Sequence, residues 1–377
     1  MLKINQMSFW EKSEYFSQLD YVIVGAGIVG MSTAISLKEL HPDARILIVE
    51  RGVLPTGAST KNAGFTCFGS PSELLSDLNK ISEDKAVLLI KKRWEGLERL
   101  LSLTGKKETE HESIGSFEMF TDNENHLFRS CKEQLDYLNH LAEKAIGKKN
   151  TYSIEPNNFG FNKVNHLIKN NYEGQINTGK MMQKLHQNSV EKGILFLYGI
   201  NVSSWKDHQK SVEISTGLGE ITTKKLIIAT NGFTQKILPE VEVSPARAQV
   251  LITKPISNLP FRGSFHYQEG FYYFRNVGDR VLLGGGRNLQ LEKETTMEFE
   301  TTSIILEELK KLLQTVILPN IPHKIEASWS GIMGVGETKE PIVKKISPNV
   351  GIGVRLGGMG VAIGSLIGKE IAELMEK

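Results

Sequence analysis

The chain has 377 residues, 40% of them hydrophobic and 23% charged, with a formal net charge of +2. That near-neutral balance gives no electrostatic footing for nucleic acid or an anionic membrane surface. The length exceeds what one hydrophobic core usually serves and points to two domains.

The first 20 residues carry charges at Lys3, Glu11, Lys12, Glu14 and Asp20, unlike the unbroken apolar stretch of a secretory signal. The longest apolar run, Tyr21 to Leu37, is shorter than the ~20 residues of a spanning helix and holds three glycines, so no membrane span is expected. Within it, Tyr21–Val24 reads as a parallel strand covered on both faces, and from Ile28 the apolar spacing turns helical as far as Leu40. Between them Gly25, Gly27 and Gly30 match G-x-G-x-x-G. Gly25 permits the tight turn, Gly27 lets backbone approach a pyrophosphate, and Gly30 lets the helix pack on the strand. The helix opens at Ile28 and Val29, whose end of the dipole faces the phosphates. A second strand, Ala44–Glu50, ends 20 positions after Gly30, and a carboxylate there suits ribose hydroxyls. This much predicts an adenine dinucleotide without separating NAD from FAD.

After Glu50 and Arg51 comes "GASTKNAG", a loop rich in small and hydroxyl residues that leads to a helix near Ser72. It resembles the second flavin-contacting loop of the D-amino acid oxidase, glycine oxidase and sarcosine oxidase family of FAD-dependent oxidoreductases. The resemblance continues in order through "EGQINTGK", "INVSSW", "KKLIIATNGF", "SPARAQVLIT", "EGFYYFRNVGDRVLLGGGRN" and "SWSGIMGVGETKEPIV…VRLGGMGVAIG". It implies non-covalent FAD held by Ser59, Thr60, Asn62, Ala63, Gly64 and Phe65. Beyond that loop it adds Val202, Thr230, Asn231, Gly232, Gly331 and the closing run Leu356, Gly357, Gly358, Met359, Gly360 and Val361. Sarcosine oxidases of the family attach flavin through a Cys near the place of Met333, and no Cys stands there. The two cysteines, Cys67 and Cys131, make neither a disulfide framework nor a zinc site and fit a reducing cytoplasm.

The same resemblance implies an α/β fold. A Rossmann-type FAD domain is expected from residues 15–85, 150–240 and 326–377. An α+β substrate domain with a mixed or antiparallel sheet is expected from 86–149 and 241–325. "KAVLLIKKRWEGLERLLSLTG" and "FETTSIILEELKKLLQTV" read as amphipathic helices, and Gly278-Asp279 as a hairpin turn.

In the family, an amine or amino acid places its Cα–H near flavin N5, a hydride moves, and the imine is hydrolysed by water. A Tyr and an Arg grip the substrate carboxylate, since the planar guanidinium matches it. Tyr272 is favoured for the tyrosine over its neighbour Tyr273; alternation along a strand lets only one face the flavin. Met333 occupies the position of the family arginine and cannot bind a carboxylate. Arg355 is the first substitute anchor, with Arg275 and Arg247 as further candidates. Lys61 is a loop lysine near the ring, and His266 is left outside the catalytic set. The implied activity is C–N oxidation of an amino acid or secondary amine, with O2 or another electron acceptor. The alternatives are oxidation of a 2-hydroxy acid or an aminomethyl group, an NAD-dependent dehydrogenase, and a non-catalytic flavin sensor.

Overall fold

The computed structural model describes residues 3–377. The apolar run before the glycine turn forms the strand Leu19–Val24, which pairs in parallel with Ile46–Glu50 on one side and Gly219–Ile228 on the other. Parallel pairing continues to Leu195–Tyr198 at one edge and to Val350–Val354 at the other. Val22, Ile23, Leu47, Ile48 and Ile227 are completely buried, which explains why these strands read as unbroken apolar runs. Antiparallel strands Ile342–Ser347, Val202–Asp207 and Val212–Thr216 complete the first sheet.

The helices Ile28–Leu40, Glu83–Thr104 and the closing helix Gly360–Met375 pack on one face of it, beside Thr178–Glu191. They meet almost backbone to backbone. A Cβ on Gly96 would collide with the carbonyl of Ala362, and one on Gly368 would lie 2.6 Å from the Cβ of Ser32. The Ser365 hydroxyl donates to the Gly96 carbonyl at 2.5 Å and locks the pair. This packing aims the first turn of the closing helix back toward the glycine turn.

The second sheet has the order Ile325–Val335, Ser244–Thr253, Arg280–Gly285, Tyr272–Val277, Ser264–Tyr267, Ser116–Thr121, Val164–Asn170, Tyr152–Glu155. All neighbours are antiparallel except Ser264–Tyr267 with Ser116–Thr121, so the sheet is mixed. One face carries a phenylalanine core, with Phe265 and Phe274 stacked 4.8 Å apart and the helix Ser303–Leu312 laid over it. The other face looks toward the first sheet.

The domain boundaries fall differently from the expectation. Tyr152–Glu155, Val164–Asn170 and Ile325–Val335, expected in the FAD domain, are strands of the second sheet. Glu83–Thr104, most of it expected in the substrate domain, packs Leu97, Leu100 and Leu101 into the core of the first. Alternating or helical periodicity tells which face is buried, not which sheet buries it.

Candidate active site

A cavity of about 550 Å3 runs between the two sheets. Its floor is the set of carboxyl ends of the parallel strands, at Val24, Glu50, Ala229 and Leu356, the place where open α/β sheets bind ligands.

At one end stands the glycine turn. Gly25 takes φ +108, a conformation L side chains avoid, and its N–H donates to the Val49 carbonyl at 2.8 Å. Gly27 lines the cavity, where a Cβ would lie 2.9 Å from Ser59 Oγ. Gly30 does not line it: its missing Cβ makes room for the Gly25 carbonyl and so lets the turn close. The Ile28 N–H donates to Ser59 Oγ at 3.0 Å, and the first intrahelical bond runs from Met31 N–H to Gly27 at 3.0 Å. The Val29 N–H, at the cavity lining, precedes that bond, which is the geometry that receives a phosphate. Glu50 is buried at the cavity wall and accepts the N–H groups of Ala26 at 3.1 Å and Gly52 at 3.0 Å. Arg51 lies 3.6 Å over the Phe233 ring, and Val202 forms the wall beyond them.

The loop after Arg51 is held from three sides. Asn62 donates to the Ser59 carbonyl at 2.8 Å, while its Oδ1 accepts the Gly64 N–H at 2.8 Å and the Thr178 hydroxyl at 2.9 Å. Arg275 donates to the carbonyls of Ala63 at 2.5 Å and Ile176 at 3.0 Å. Trp329 donates to the Lys61 carbonyl at 3.0 Å. Ser59, Asn62, Ala63, Gly64, Phe65 and Lys61 face the cavity, whereas the Thr60 hydroxyl turns away to the Pro55 carbonyl at 2.8 Å.

From the C-terminal side, Leu356, Gly357, Gly358, Met359, Gly360 and Val361 bring the closing helix to the cavity, alongside Thr230, Asn231 and Gly331. Asn231 Oδ1 accepts the N–H groups of Arg355 at 3.0 Å and Leu356 at 3.3 Å and so joins the two strand ends. Gly232 stands behind the wall, packed on the Met333 carbonyl.

Two of the expected substrate residues are misplaced. Tyr272 shares a strand face with Phe274 and is buried in the phenylalanine core; Tyr273, one residue on, faces the cavity. Arg355 sits at φ 65, and its guanidinium donates to the Glu340 carbonyl at 3.0 Å, outside the cavity lining. The other two candidates are also engaged. Arg275 supports the loop, and Arg247 makes a buried ion pair with Glu294 at 2.8 Å. Met333 does line the cavity, beside Gly331, Val250 and Ala248.

Polar groups on this wall outside the expected set include His266, Glu73, Lys339 and Arg287. His266 is directly opposite Tyr273 on the next strand, and its Nε2 is 3.3 Å from Cys67 Sγ. Burial holds His266 below the usual imidazole range and pushes the Cys67 thiol well up, so both are neutral. Burial also raises the Tyr273 phenol to about 12. Burial opposes the charge of Glu73, yet Lys339 at 2.7 Å and Arg93 outweigh it and hold the carboxyl at about 2. Cys67, His266 and Glu173 bring ligand-type atoms within 4.8 Å of one another. Glu173 is already satisfied by the N–H groups of Phe68 at 2.7 Å and Gly69 at 3.0 Å and by the Ser116 hydroxyl, so the trio is complete without an ion.

The glycine turn, the acidic strand end and the loop fit the dinucleotide of FAD, and the cavity runs on past them to the second sheet. The sequence pattern of the DAO family, described as FAD dependent oxidoreductase, matches residues 20–374. The chain is 22% identical over 380 residues to the gamma-glutamylputrescine oxidoreductase of Escherichia coli (strain K12), covering 94% of this chain and 83% of that protein. Its fold is that of the L-proline dehydrogenase of P. horikoshii, with a TM-score of 0.75 and 16% identity over 95% of this chain and 93% of the other. Glycine oxidase from Bacillus cereus ATCC 14579 is equally similar, with a TM-score of 0.75 and 14% identity over 95% of each chain. The chain therefore belongs to the DAO family of FAD-dependent oxidoreductases.

Proposed function

We propose that the protein oxidises the C–N bond of an amino acid or secondary amine. The observation that carries this is the wall opposite the glycine turn, where Tyr273 and His266 stand side by side above apolar Val250 and Met333. The relatives' names give L-proline, glycine and gamma-glutamylputrescine as what they act on, and all three are amines.

FAD, when bound, supplies the two-electron acceptor for the Cα–H hydride. The remaining work is positioning and proton handling. Tyr273, protonated at physiological pH, offers its O–H to the substrate. His266, neutral and half-buried, accepts the proton that leaves the nitrogen as the C=N bond forms. Val250 and Met333 keep water from the reacting carbon until the imine has formed. Water then splits the imine into a carbonyl compound and an amine. We place the protein in the cytoplasm, since both cysteines are free and buried. Among the described residues no helix is long and apolar enough to cross a membrane.

The test is product analysis with a substrate deuterated at Cα. The proposal expects one carbonyl product and one amine per flavin reduced, and slower reduction with the deuterated compound. Reduction by 2-hydroxy acids and by no amine would replace it with the hydroxy-acid activity.

A further inference from the structure

Met333 on the cavity wall cannot hold a carboxylate, and the cavity offers a cation elsewhere. Arg287 follows the strand Arg280–Gly285, which lies next to the strand bearing Tyr273. The chain leaves that strand through Gly285 at φ +125 and Gly286 at φ +76, and this reversal turns Arg287 to the cavity wall. Among the described residues its guanidinium makes no hydrogen bond or ion pair, and its Nε is buried without a partner. Such a group is costly to leave unsatisfied.

Of the acids nearby, Glu294 attracts Arg287 through space but makes no ion pair with it. Glu294 is committed to Arg247, through bonds of 2.8 and 2.9 Å, and to Gln249 at 2.9 Å. Glu269 also lines the cavity but forms no ion pair with Arg287. The other cations of the wall are less suited, and Lys236 among them is exposed to solvent. Lys339 is shared between Glu73 at 2.7 Å and Asp77 at 2.8 Å. Arg51 lies over Phe233 beside Glu50, at the ribose end. Lys61 extends from the flavin loop toward Phe299, 5.3 Å from the ring centroid.

We propose that Arg287 forms an anion subsite that takes the carboxylate of the substrate, with Tyr273 beside it, in place of the position Met333 occupies. This rests on the amine-oxidation reading of the same cavity and narrows it to amines that carry a carboxylate. A planar guanidinium with its fork free is the group that receives a carboxylate through two parallel bonds.

The experiment is an anaerobic titration of the FAD-loaded protein with benzoate and acetate, followed by the shift of the visible flavin bands. It is run on wild type, Arg287→Lys and Arg287→Met. The expected result is saturable binding to wild type, weakened roughly 10- to 100-fold in Arg287→Met and less in Arg287→Lys, with flavin content equal in all three. Equal carboxylate affinity in Arg287→Met, or no band shift in wild type, would overturn the subsite. Binding needs no turnover, so failure of every amine to reduce the flavin counts against the oxidation reading alone.

Discussion

Tyr273 pairs with His266 across two neighbouring strands, and both side chains face the cavity while Tyr272 points the opposite way into the phenylalanine core. On the proposed role, removing the Tyr273 hydroxyl takes away one hydrogen bond to substrate, and because the side chain lines the cavity the fold stays intact. Tyr273→Phe is expected to raise KM or lower kcat/KM about 3- to 10-fold, the worth of one neutral hydrogen bond. Tyr272→Phe should leave both unchanged, whereas Tyr272→Ala should cost about 3–5 kcal/mol of stability by opening a cavity in the core. Steady-state kinetics and thermal melts of the three variants distinguish the two positions.

Gly30 acts through the turn rather than through the cofactor, because a Cβ there would meet the Gly25 carbonyl. Gly30→Ala should destabilise the fold by about 1–3 kcal/mol, the range for overpacking, and weaken FAD binding at the same time. Flavin content per chain and the melting temperature should fall together.

Glu118 is buried against Ser70 and Ser72. Desolvation drives its carboxyl from 4.5 up to about 7, although the hydrogen bonds from Ser72 and Ser70 favour the charged form. The folded state then holds the proton more tightly than the unfolded state does. The stabilisation from this group is complete below 4.5 and is lost as pH rises to about 7. A shift of this size corresponds to on the order of 3 kcal/mol. The melting temperature of wild type should fall across that window, and Glu118→Gln should flatten the fall. An equal slope in the variant would assign the pH dependence to other groups.

The flavin should leave the protein on unfolding. Met333 has no chemistry for a flavin linkage, and Cys67, the cysteine in the cavity wall, is held as the thiol by burial. Acid precipitation of the yellow protein is expected to leave FAD in the supernatant and a colourless pellet. Flavin retained in the pellet would contradict this.

The cofactor end of the cavity was legible in the sequence because its geometry is local. Gly30 must leave room for the Gly25 carbonyl, Gly25 takes the positive φ of its own turn, and Glu50 closes the next strand. The substrate end depends on register and side-chain direction, which neighbouring strands decide. Tyr272 and Tyr273 differ only in which sheet face they take, and the partner strand carrying Phe265 settles it. Arg355 is drawn out of the cavity by the Glu340 carbonyl, a contact 15 residues back along the chain. Arg287 had a signal in "GGGRN", where a strand ends in glycines that can reverse the chain, but the cavity it turns toward is made by segments from the whole length of the chain.

On the proposed function, a carboxylate-bearing amine passes two electrons to bound FAD. Anaerobic mixing with D-amino acids, N-methyl amino acids, polyamines and 2-hydroxy acids, read at the ~450-nm flavin band, tests it directly. The expected result is bleaching by at least one amino acid or N-methyl amino acid, slowed in Arg287→Met and Tyr273→Phe. A protein that binds no flavin, or whose flavin is bleached only by hydroxy acids or by amines lacking a carboxylate, would contradict it.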